Sequence, residues 1–199
     1  ERAKVLALQG DRGNAINALR AFGNDPLAKS PPAPLAMIYL GTLLREQNQP
    51  DEAVKVLAEA RKKFEPGLTA AGPAKAEWLA LLRFHHGVAL FETNKPAEAR
   101  AAFEQAGQAA ANLPVAVEAA LKGLQCQVEE VKAKVAAVEK QKGQPNLKPE
   151  QVAAFDAQLK AAKGEFANVA RQFEQKAEQF RGAHPALDAR ALAEEKKPD

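Results

Sequence analysis

In the second half of the chain, apolar residues recur at alternating spacings of three and four. Val117, Leu121, Leu124, Val128, Val131, Val135 and Val138 form one run. Val152, Phe155, Leu159, Ala162, Phe166, Val169, Phe173 and Phe180 form a second, with Lys176 holding one position. This is the heptad seam of coiled-coil packing, averaging about 3.5 residues per step. Between the runs lies Gly143-Gln-Pro-Asn-Leu-Lys-Pro149. Gly143 suits a C-terminal cap, and Pro149-Glu150 suits a first helical turn. Two helices so joined run antiparallel, over ~42 Å for residues 115–142 and ~50 Å for 149–181. Small Val and Leu knobs would face large Phe knobs, with Val135 and Phe155 as close neighbours and the distal half projecting. The alternative is two ordinary long helices in a bundle.

The first half carries shorter stripes, and two of them are spelled alike. Gly41 to Ala60 is echoed by Gly87 to Ala106, forty-six residues on, with Gly, Leu, Glu, Asn, Pro, Glu, Ala and Ala at matching offsets. In each copy a helix ends near an Asn (Asn48, Asn94). A proline (Pro50, Pro96) then suits the first turn of the next helix. Asp51, Glu52 and Glu98 complement that helix's positive end. Ala53, Leu57 and Ala60, like Ala99, Phe103 and Ala106, make one buried stripe. Gly41 and Gly87 sit inside the first helices, where glycine costs about 1 kcal/mol against alanine. Close helix contact accounts for that cost. Each copy is therefore a helix–turn–helix hairpin.

On these residues the chain resembles the tetratricopeptide repeat family. Leu40-Gly41, Leu44, Ala53, Leu57 and Ala60 carry the resemblance in one unit, and Gly87, Leu90, Ala99, Phe103 and Ala106 in the next. A partial copy runs from Leu6 to Asp11 with Ala15, Leu19 and Phe22. A fourth first helix begins around Val117, with Gly123 at the small position. Met37 and Arg83 stand where the family has an aromatic. The resemblance implies an all-α, TPR-like α-solenoid of helical hairpins, here with a long antiparallel coiled-coil hairpin toward the C-terminus. The divisions expected are repeats over 1–114 (partial unit 1–25, units 32–65 and 74–111), the hairpin over 115–182, and a short helix with frayed tail over 183–199. Irregular links are expected around 65–76 and 23–34, from Pro66, Gly67, Gly72 and Pro73 and from Gly23, Pro26 and Ser30-Pro-Pro-Ala-Pro34. They resemble links in repeat proteins of the bacterial cell envelope, which leans the compartment that way.

Composition agrees with helix: Ala, Leu, Val, Glu, Gln and Lys dominate. The 28 basic and 25 acidic residues leave a net charge of +3, and the two signs are interspersed. No basic block marks a nucleic-acid footprint. No apolar run has the length of a membrane span. The one cysteine, Cys126, has no partner for an internal disulfide. The opening Glu1-Arg2 reads as a chain trimmed from something longer.

Chemistry is sparse. His85 and His86 point about 100° apart on a helix, with no Cys, Asp or Glu at i+3 or i+4 to complete a metal site. They read as one packed histidine and one facing a groove. His184 reads as a loop residue, and Cys126 as a small hydrophobe. No cofactor or catalytic site is expected, and the chain reads as a non-enzyme.

The repeat resemblance implies a concave surface on the first helices: Leu35, Ile38, Thr42 and Arg45, then Leu81, Phe84, Val88 and Phe91. The partner-binding residues expected are Ile38, Arg45, Phe84, Val88 and Phe91, with Phe84 and Phe91 facing solvent. A clamp for a C-terminal carboxylate would need Lys, Asn and Arg there, and only Arg45 fits. The function expected is protein–protein interaction, as a scaffold or assembly factor holding a protein or peptide partner. The alternative is a structural homo-oligomer, a homodimer through the 115–181 hairpin. Whether the groove is open or filled by the chain's own later helices is left open.

Overall fold

The computed structural model describes residues 2–111 and 113–183, with side chains through Glu178. The expected helix over 186–194, the tail, His184 and the Phe180 seam position lie outside the described residues or side chains. Among the described residues there are eight α-helices and no strand. They are α1 (Arg2–Leu8), α2 (Arg12–Arg20), α3 (Ala33–Glu46), α4 (Pro50–Ala70), α5 (Ala76–Glu92), α6 (Pro96–Ala109), α7 (Pro114–Lys142) and α8 (Pro149–Ala183). The chain forms two compact units, Glu1–Ala119 and Ala120–Asp199, and the boundary falls inside α7.

In the first unit, α1 packs on α2, α3 on α4 and α5 on α6, while α2 meets α3 and α4 meets α5. Each hairpin turns the same corner. Asn48, Asn94 and Gly10 have φ of 58°, 59° and 84°. The N–H of Asn48 donates to Arg45 O at 2.8 Å, and that of Gln49 to Leu44 O at 2.9 Å. Asn94 and Lys95 repeat this on Phe91 and Leu90 (3.0 Å each), and Gly10 and Asp11 on Ala7 and Leu6 (3.1 and 2.9 Å). This is the Schellman termination, which satisfies carbonyls that the helix end would orphan. Five residues past each corner stand Ala15, Ala53 and Ala99, all fully buried. Four further on stand Leu19, Leu57 and Phe103, also buried.

The helical glycines explain themselves by shape. A Cβ on Gly41 would lie 2.6 Å from Leu57 Cδ1, and one on Gly87 would lie 2.8 Å from Phe103 Cε1. The second helix of each of these two hairpins thus seats a buried apolar side chain, Leu57 or Phe103, against the bare backbone of the first. Gly123, expected to play the same part, does not: a Cβ there would meet nothing within 4 Å.

The link around 65–76 is shorter than the sequence suggests. α4 continues through Pro66 and Gly67 to Ala70, and only Gly72 (φ 59°) ends the run. A proline in a helix interior forfeits one backbone hydrogen bond and costs roughly 3 kcal/mol. Burial of Leu68 just past the proline, 6% exposed, and the two ion pairs of Glu65 just before it offset that loss. The stretch before α3 breaks as expected, into short 3₁₀ turns at Ala21–Gly23 and Leu27–Lys29.

In the second unit, α7 and α8 are tied by ion pairs from Lys134 to Glu165 (3.1 Å), Lys142 to Asp156 (2.5 Å) and Lys163 to Glu139 (3.8 Å). As one number rises the other falls, so the two helices run antiparallel. Leu121, Val128, Val131, Ala162, Val169 and Phe173 are buried, while Val135, Val138, Phe155, Leu159 and Phe166 are half-buried. The register differs from the expectation. Lys134 opposite Glu165 puts Val135 level with Gly164, between the seam residues Ala162 and Phe166, and Lys142 opposite Asp156 puts Phe155 at the last turn of α7. Val135 and Phe155 therefore do not oppose each other. The left-handed residue of the turn is Asn146 (φ 66°) rather than Gly143.

Candidate functional site

The residues expected to line a groove divide by what α3 and α5 do to each other. These first helices of successive hairpins pack side by side. Arg45 Nε donates to Glu92 Oε2 at 2.7 Å and Nη2 to Oε1 at 2.5 Å, a bidentate pair joining the two helices. Thr42 Oγ1 donates to Ile38 O at 3.2 Å and lies 3.5 Å from His85 Nδ1. Ile38 is buried in the core. Phe84, expected to face solvent, is 6% exposed. Its ring lies 5.5 Å from that of Phe103 and edge-on to His85 at the same distance. Phe103 reaches it because Gly87 leaves the space open. Of the five predicted residues, Ile38 and Phe84 are core and Arg45 is engaged with Glu92. Val88 and Phe91 remain half-buried on one face of α5 in line with half-buried Leu81.

A second cluster joins α4, α5 and α6. Arg61 Nε donates to Glu65 Oε1 at 2.5 Å and Nη2 to Gln105 Oε1 at 2.6 Å, while Nη1 sits 3.0 Å from His86 Nδ1. Arg83 Nε and Nη2 donate to the two carboxylate oxygens of Glu65 at 3.2 and 3.4 Å, and Nη1 to Gln105 O at 3.1 Å. Burial opposes ionisation of Glu65, but the two guanidiniums outweigh it and hold the carboxyl below its usual range. Both histidines are pushed down to about 4, His85 by burial and then the Arg45 charge, His86 by burial and then the Arg61 charge. Arg61 can only donate, so Nδ1 of His86 accepts and its proton sits on Nε2.

Reading the sequence missed this cluster. The signal was Arg83, a cation at a core position of the repeat, which demands a buried counter-charge. No group of three metal-ligating side chains lies together among the described residues. Cys126 is fully buried in α7.

Residues 35–65, which cover α3 and most of α4, match the family model of the tetratricopeptide repeat. This segment is similar to a tetratricopeptide repeat. Comparison with curated proteins gave no match, and comparison with solved structures gave none either. Within the matched segment, the Gly41–Leu57 fit and the Asn48 corner are the features that recur in α5–α6 as Gly87–Phe103 and Asn94. The repeat points to protein partners and to a role that is typically non-catalytic. No described helix is long and apolar enough to cross a membrane.

Proposed function

We propose that this chain is a non-catalytic protein–protein interaction scaffold or assembly factor, and that it holds an apolar helical segment of its partner along α5. The observation that supports this reading is the half-buried stripe of Leu81, Val88 and Phe91, bordered at one end by the Arg45–Glu92 pair. An amphipathic helix recognises such a stripe by apolar anchors spaced along one face, with polar contacts at the rim. On this reading the solenoid of repeats over 1–114 is the platform and α5 its contact helix. Affinity capture with wild type, Val88→Glu and Phe91→Glu tests it. Loss of the same partners from both variants, with helical circular dichroism unchanged, is the expected result. Partners retained by both variants would sink the reading.

A second reading is favoured by the hairpin. Val135, Val138, Phe155, Leu159 and Phe166 stay half-buried in a single copy, and α7–α8 against its twin would cover them as a four-helix bundle. That homo-oligomer requires a concentration-dependent dimer by light scattering, dissociated by Phe166→Glu.

A further inference from the structure

Arg61 and Glu65 of the Arg61–Glu65–Arg83 cluster line an open cleft of about 380 Å³, walled by Ala58, Arg61, Lys62, Glu65, Pro66 and His86, and Arg83 reaches it through its contact with Glu65. Its charges do not balance. One carboxylate, Glu65, faces two guanidiniums, both of which it already contacts. Both arginine side chains are only 19% exposed, so neither shares its charge freely with water. Lys62 is exposed at the edge of the cleft, and the charge of Lys95 acts on His86 from the start of α6. His86 is held neutral with its proton on Nε2, because Nδ1 faces Arg61. Arg61 uses one hydrogen on each nitrogen, which leaves two N–H groups over on its terminal nitrogens. Donors and positive charge therefore converge on a cleft whose one acceptor charge is already used.

We propose that this cleft docks an acidic segment of a partner protein, with a Glu or Asp carboxylate seated between Arg61, Lys62 and the Nε2–H of His86. A carboxylate completes the pairing that Glu65 alone leaves half made, and guanidinium–carboxylate pairs in a partly desolvated site are stronger than exposed ones. Glu65 is the positioning residue. It holds Arg61 and Arg83 side by side, from α4 and α5, so that their charges add. The Pro66 interruption belongs to the same feature, since Glu65 immediately before it and Pro66 itself both wall the cleft. The docking surface lies between α4 and α5, whereas the apolar stripe follows Leu81, Val88 and Phe91. It rests on the interaction reading above and adds the chemistry of one contact.

The test uses a capped peptide of consecutive glutamates, with its glutamine counterpart and its phosphoserine counterpart, titrated into the full chain. Binding is read from the ring resonances of His86 and the Nε–H resonances of Arg61 and Arg83. The glutamate peptide is expected to shift all three saturably at low salt and less at physiological salt, while the glutamine peptide leaves them in place. Lys62→Glu, at an exposed position that leaves the fold intact, is expected to weaken the glutamate peptide by about tenfold or more. Unmoved His86 and Arg61 resonances, equal shifts with the glutamine peptide, or unchanged affinity in Lys62→Glu would each overturn the proposal. Binding of the phosphoserine peptide alone would overturn it too, by making the cleft a phosphate site. A silent cleft beside partner loss in Phe91→Glu would remove this contact and leave the interaction reading standing.

Discussion

The repeat hairpins and the α7–α8 hairpin are both antiparallel helix pairs, yet they are specified by different means. In α3–α4 and α5–α6 the fit is a matter of single positions. Leu57 fills the space above Gly41, Phe103 fills that above Gly87, and a half-buried carboxylate is shared by two arginines. In α7–α8 the fit is a period, an apolar seam flanked by ion pairs that are half in water. A period tolerates sliding and substitution, whereas a knob over a bare backbone does not. The first unit should therefore be sensitive residue by residue, and the second only in aggregate.

Truncating a knob in each unit gives the largest contrast. Phe103→Ala should destabilise α5–α6 by roughly 3–5 kcal/mol, since it empties a fully buried site. Phe166→Ala, half-buried in the seam, should cost no more than about half as much. Denaturant titration with amide exchange followed in both units checks this, and equal losses would erase the distinction.

Acid should separate the units next. His85 and His86 have folded values of about 4 against an ordinary 6.5, so as pH falls from 6.5 toward 4 the unfolded chain takes up protons that the folded chain refuses. Stability is full above 6.5 and declines through that window, by about 2–3 kcal/mol for the more buried His85. α7 and α8 carry no histidine. Exchange should accelerate in α3–α6 and not in the hairpin as pH falls through that window.

The smallest effect belongs to the hairpin's ion pairs. Lys134→Ala removes a pair whose side chains are 57% and 48% exposed, and should cost less than about 1 kcal/mol. A loss as large as that of Phe103→Ala would mean that charge, rather than the seam, holds the hairpin.

Much of this was legible in the letters. Helices start at Pro50, Pro96 and Pro149, because proline suits a first turn and little else in a helix. The stripes Ala53-Leu57-Ala60 and Ala99-Phe103-Ala106 are buried, as their spacing requires. The site was less legible, for a physical reason. α5 buries Leu79, Ala80, Leu82, Phe84, Gly87, Ala89 and Leu90, so apolar residues lie on most of its sides and periodicity selects no face. Its rotation is set by Phe103 against Gly87, a contact sixteen residues apart. That contact draws Phe84 into the core. The hairpin register escaped for the opposite reason, since a seam that repeats every heptad looks alike after a slip. Pro66 escaped because part of what carries α4 past it, the Glu65–Arg83 pair, comes from another helix.

The left-handed corner at Gly10, Asn48 and Asn94 has a consequence for how such a chain can change length. From each corner the distances to the buried alanine and to the large knob are the same, whereas the corners themselves are unequally spaced along the chain. What is invariant is therefore contained within each hairpin, and what varies falls between hairpins. Insertions and deletions between modules leave every internal fit untouched, and the same short cassette can be re-used at irregular intervals without its neighbours being re-tuned.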